Sequence, residues 1–173
     1  IYAPLHRLFD QSDGLDTGFT EMGRAVLDRI LDLDGEHRPG RIPTRIDLKH
    51  MSLAGRWEVY QRIENHNRSH PENPIPLLVS HFAASGNPNS IPDILNAPHH
   101  SDREYDSTPD VFNQWTINFC DDEILRIHQS GGLLGLILEQ RILASKRELR
   151  RIRSVPEHKH GCPNPAFARA WGE

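Results

Sequence analysis

Three apolar runs of strand length, near 45–50, 75–81 and 133–139, alternate with amphipathic helical stretches, and this alternation restricts the fold most. Such an order implies βα units, whose strands run parallel and are buried on both faces. The first helical stretch, "TEMGRAVLDRILDLDG", places Met22, Val26, Ile30 and Leu33 on one face, with Thr20 as N-cap and Gly35 as stop. Ser52 caps the second, in which Leu53, Trp57, Tyr60 and Ile63 share a face. The third, "DDEILRIHQSGG", has acids in its first turn and ends at Gly131 and Gly132, and "SKRELRRIRS" reads as a basic surface helix. Residues 83–118 lack periodicity, and a connection of that length reads as a loop insertion, a lid or a mobile segment. Three strands do not complete a sheet of this class. The 173 residues therefore read as one partial α/β domain spanning 1–173, with an insertion at about 83–118, the middle of a larger barrel or doubly wound sheet.

Charge and cysteine usage narrow the function. A net charge of −4 and a pI near 6.3 argue against a nucleic-acid or anionic-membrane binder. No apolar run reaches the roughly 20 residues of a membrane span. The opening "IYAPLHRLFDQ" has no basic segment followed by an apolar core, so no signal peptide is read there. The chain does not begin with Met, which is compatible with a processed or truncated piece, and the compartment stays open. Cys120, expected half-buried beside a helix start, and Cys162, in a polar tail, fit neither a disulfide framework nor a zinc ribbon.

Eleven histidines are the compositional oddity. Most lie in polar contexts, but His50 closes "RIDLKH" and His81 closes "IPLLVSH". In parallel α/β folds, ligand and catalytic groups gather at the C-terminal ends of strands. Adjacent strands lie about 4.8 Å apart, so two such imidazoles reach one metal ion at nitrogen distances near 2.1 Å. A pair built for that purpose has its nitrogens within roughly 4–5 Å of each other. The plainer alternative is that each histidine ends a strand and bonds a neighbouring loop. Lys49, just before the first histidine, is expected to pair with Asp47 on the same strand face. His128 is expected at a core edge, and His99 and His100 lie in the insertion, where a lid could bring them to the site.

Four segments in order, "GFTEMGRAVLDRIL", "IDLKHMS", "PLLVSHFAASG" and "INFCDDEILRIHQSGGLLGLIL", resemble matching segments of the membrane (renal) dipeptidase family of zinc metallopeptidases. The resemblance covers roughly residues 14–140. It implies part of a TIM-type (β/α)8 barrel of the metal-dependent hydrolase kind. It also implies a site that holds two zinc ions when complete, with His50 and His81 as metal ligands. The implied activity is cleavage of a dipeptide or small amide by metal-activated water.

Other parts of the family pattern are missing. No His-x-Asp stands on an opening strand, since the "HSD" of "HHSDRE" lies in the insertion. The bridging glutamate and the late "GSDFDG" segment are absent, and Ile117 stands where the family has its substrate-binding arginine. Arg103 and Arg141 are candidates to replace that arginine, with surface salt bridges as the simpler role for both. Catalytic residues are not assigned. Two other functions remain open: a decayed or truncated barrel acting as scaffold or partner-binding domain, and a mononuclear amidohydrolase acting on a cyclic amide. The isolated 173 residues are expected to lack catalytic competence, and to pair with the rest of a barrel or self-associate through unpaired sheet edges.

Overall fold

The computed structural model describes residues 17–33, 44–97 and 111–154. The first helix, α1 (Glu21–Leu31), starts where Thr20 Oγ1 accepts the amide of Gly23 and stops at Asp32 in the left-handed region. Asp32 thus ends the helix before Gly35, which lies outside the described residues. The face it buries differs from the expected one. Leu27 and Leu31 are buried, whereas Met22 is 77% exposed and Val26 50%. The two stripes are one residue apart on the helix, and tertiary packing selects between them.

The second helix, α2 (Leu53–Ser69), begins at Ser52, whose Oγ accepts the amide of Gly55 at 3.0 Å. Leu53, Tyr60 and Ile63 are buried as their spacing predicts, and Val59 joins them. The remaining elements are β1 (Leu78–Phe82), α3 (Ile91–Asn96), α4 (Asp121–Gln129), β2 (Leu133–Leu136), α5 (Gln140–Leu143) and α6 (Lys146–Ser154). The short helix α3 lies inside the stretch expected to be a loop, and residues 98–110 of that stretch are outside the described residues.

β1 and β2 pair in parallel, with Leu78 opposite Leu133 and Val79 opposite Leu134. The expected strand over 45–50 is reduced to one parallel bridge, Asp47 to Leu78, with the Leu48 amide donating to the Leu78 carbonyl. A turn at Lys49 and His50 cuts it short. Order across the sheet is therefore Asp47, β1, β2, all parallel. β1 starts later than expected and continues one residue past His81, and β2 ends at Leu136 rather than at 139. Gly135 permits close strand contact, because a Cβ there would stand 2.0 Å from the Ser80 carbonyl oxygen.

The core joins Leu27 and Leu31 of α1, Val59, Tyr60 and Ile63 of α2, Val79 of β1 and Ile127 of α4, with Leu48, Leu77 and Phe119 between them. Leu133 and Leu136 of β2 are 65% and 57% exposed, and they point to opposite faces of the strand, so β2 is partly uncovered on both among the described residues. No helix among the described residues is long and apolar enough to cross a membrane.

Candidate metal centre

His50 and His81 meet. Their Nε2 atoms are 3.2 Å apart, the ring centroids 5.1 Å, and the rings are tilted by 57°. The sheet puts them together because Asp47 bridges to Leu78, which aligns residues 47–50 with the end of β1. His50 then takes φ 68°, a left-handed turn that swings its ring back toward β1. Histidine is among the residues that tolerate this region, but it still costs about 1–2 kcal/mol. Strain of this kind at a strand end concentrates at functional sites.

Hydrogen bonds from both sides hold the pair. Asp47 Oδ1 accepts the backbone amides of Lys49 and Ser80, both at 3.0 Å, and so ties the His50 turn to the residue before His81. Burial alone would raise the Asp47 pKa, but the bonds from Ser80 and Lys49 outweigh it and hold the carboxyl below its ordinary value. Ser80 Oγ lies 2.8 Å from His81 Nδ1. With that Nδ1–H donating to the hydroxyl, His81 Nε2 carries a lone pair, the form in which it can ligate a metal. Desolvation, then Lys49 and His81, lower the pKa of His50, which favours the neutral imidazole that ligates metals.

Lys49 departs from expectation. Asp47 takes its backbone amide, and the ammonium instead donates to the Ile117 carbonyl at 3.1 Å. The side chain is buried, only 7% exposed.

Beneath the pair lies a second ionic group, formed by residues that sequence reasoning did not connect. Arg56 is fully buried; its Nε donates to Glu123 Oε1 at 2.6 Å, and Tyr60 Oη donates to the same oxygen at 2.9 Å. The guanidinium also donates to the carbonyls of Met51 at 2.8 Å and Thr116 at 2.7 Å, and its carbon stands 4.6 Å from the centre of the Phe119 ring. Glu123 Oε2 accepts the Cys120 amide at 3.0 Å, which caps α4. This group clamps the turn that carries His50 to the turn at 116–118. Burial, then Glu123, pushes the Tyr60 phenol far up, and the same two causes raise the Cys120 thiol to about 12. Cys120, expected half-buried, is 2% exposed and stays an un-ionised core thiol. The only sequence sign of the clamp was Arg56 within the apolar face of α2, and a buried arginine requires a carboxylate.

Arg103, His99, His100 and Cys162 lie outside the described residues. Arg141 falls on α5, and its side chain is also outside them. His128, expected at a core edge, is exposed on α4.

Two imidazoles fit one ion. For zinc–nitrogen bonds near 2.1 Å in a tetrahedron, ligand atoms stand about 3.4 Å apart, close to the 3.2 Å here. Among the described residues no group of three or more His, Cys, Asp or Glu side chains forms a metal cage. An ion held between the two rings would take two of its ligands from this pair. Comparison with protein-family models, with curated proteins and with solved structures found no match.

Proposed function

We propose that the chain is part of a (β/α)8-type metal-dependent hydrolase resembling membrane dipeptidase. In this reading His50 and His81 hold zinc, and the substrate is a dipeptide or small amide. The observation that carries the reading is the 3.2 Å approach of two Nε2 atoms, one from the turn after the Asp47 bridge and one from the neighbouring β1. It is supported by the left-handed backbone at His50 and by the two amide bonds that Asp47 accepts. A zinc ion bound there would polarise a carbonyl and lower the pKa of water. The chain's own part is to present two imidazoles at fixed spacing. Asp47 and Ser80 fix their orientation, and the Arg56–Glu123 clamp immobilises the turn behind them.

Zinc content of the full chain, measured after dialysis at neutral pH, tests this. Wild type should bind zinc, and His50→Ala and His81→Ala should each lose at least about tenfold in affinity. Stoichiometric zinc retained in the double variant would sink the assignment. A second reading, a scaffold or partner-binding barrel without metal, draws on the exposed Leu133 and Leu136 of β2. It predicts a folded wild type that takes up no zinc. One ion per chain rather than two would favour the mononuclear amidohydrolase reading.

A further inference from the structure

The turn at 116–118 receives two buried cations: the Thr116 carbonyl accepts Arg56 and the Ile117 carbonyl accepts Lys49. Asn118 fastens that turn to the rest of the chain. It is 2% exposed, and its Nδ2 donates to the carbonyls of Asn113 at 2.8 Å and Ile142 at 2.7 Å. Two carbonyls facing one atom fix the orientation of the amide, because the reverse would set oxygen against oxygen. Oδ1 is therefore the acceptor left over, and among the described residues nothing donates to it. Folded proteins meet nearly all such buried acceptors, with water where no protein group reaches.

Asn118 also lines a cavity of about 20 Å3, together with Ser85, Gln114, Thr116, Cys120 and Glu123. A water molecule needs about 10–15 Å3 of such space, so there is room for one. The lining suits a neutral donor. Its one carboxylate, Glu123, is already met by Arg56, Tyr60 and the Cys120 amide, which leaves no negative charge for a cation. Ser85 is 4% exposed; its Oγ accepts the Asn87 amide at 3.3 Å, and its hydroxyl proton is available to a second oxygen. We propose that this cavity binds a single ordered water, which donates to Asn118 Oδ1 and accepts the Ser85 hydroxyl. The water joins the stretch after β1 to the turn that receives Arg56 and Lys49, so it is part of the frame rather than of the solvent. The proposal stands apart from the metal reading of His50 and His81.

Two measurements on the full chain test it. Water–protein NMR of wild type should show cross-peaks between water and the Asn118 side-chain amide, with the sign of dipolar contact rather than of proton exchange. Oxygen-17 relaxation dispersion counts waters of long residence, and Ser85→Val, which sets methyl groups into the cavity, should hold one fewer than wild type. That variant should also melt below wild type, because Asn118 Oδ1 loses its donor. No dipolar contact at Asn118 in wild type would overturn the proposal, and this measurement needs no variant to fold. Equal water counts in the two chains would do the same. So would a Ser85→Val that melts at or above wild type, since methyl groups would then be filling a dry space. Ammonium chloride should leave the water contact at Asn118 unchanged; its displacement would replace the neutral ligand with a cation.

Discussion

Two polar groups, linked where Arg56 bonds the Met51 carbonyl next to His50, are built on opposite terms. In the Arg56–Glu123–Tyr60 group every charge is paired inside the molecule, and all three side chains are buried. In the His50–His81 group the two imidazoles have each other, Ser80 bonds one ring, and His50 is exposed. Burial accounts for the difference. An ion removed from water must be matched completely or the fold fails, whereas imidazoles at the surface can be left with lone pairs directed outward. The first group is completed by its own partners, and the second is not completed in that way among the described residues.

The largest test of this contrast breaks the buried group. Glu123→Ala leaves Arg56 buried without a carboxylate and should cost about 3–5 kcal/mol, read as a fall in the urea midpoint. Loss of less than about 1 kcal/mol would mean that water reaches the guanidinium. Tyr60→Phe removes one of the four bonds to Glu123 and should cost about 1 kcal/mol, in the same assay.

The imidazole pair should respond differently. His50→Gly removes the left-handed strain, so its stability should stay within about 1 kcal/mol of wild type, and on the proposed metal reading zinc uptake is lost. A stability loss as large as that of Glu123→Ala would show that the two groups are alike after all.

pH sharpens the comparison further. His50 has its pKa lowered by desolvation, then Lys49, then His81, against a smaller raising influence from Asp47. The unfolded chain therefore takes up the proton more readily than the folded one. Stability contributed by neutral His50 is complete above about pH 6.5 and falls as the pH drops from there toward the folded-state pKa. NMR titration of the His50 ring should give a pKa below the ordinary value, moving upward in Lys49→Met. An unchanged titration in that variant would place Lys49 out of electrostatic reach.

The smallest effect belongs to the surface pair of Arg24 and Glu58. The Arg24 hydrogen bond, opposed by burial, lowers the Glu58 carboxyl, which also accepts the Phe19 amide. Its contribution is present above the ordinary carboxylate pKa and is lost as the pH falls through the lowered folded value. Solvent screens this pair, so Glu58→Gln should move the acid limb of a thermal unfolding curve only slightly.

Much of the local structure was legible in short stretches of sequence. Thr20 and Ser52 cap helices through their own hydroxyls, and Gly131 ends α4 with φ 69°. These features depend on neighbours three or four residues away, which a sequence displays directly. The strand-end histidines were legible for a related reason, since βα alternation places successive strand ends on one face of a sheet. Less visible were the choice of Leu27 and Leu31 over Met22 and Val26, and the reduction of the 45–50 run to a single bridge. Each depends on what packs opposite, and periodicity alone contains no such information.

The sequence by itself therefore determined the residue types at the strand ends, the helix caps and the βα order that brings His50 toward His81. Tertiary structure alone decided the 3.2 Å spacing of the two nitrogens, the turn of Lys49 away from Asp47 to the Ile117 carbonyl, and the meeting of Arg56 with Glu123. The physical reason is distance along the chain. Capping energies are settled within one helical turn, but a buried charge must find a partner 60 or more residues away, and only the packed core brings them together.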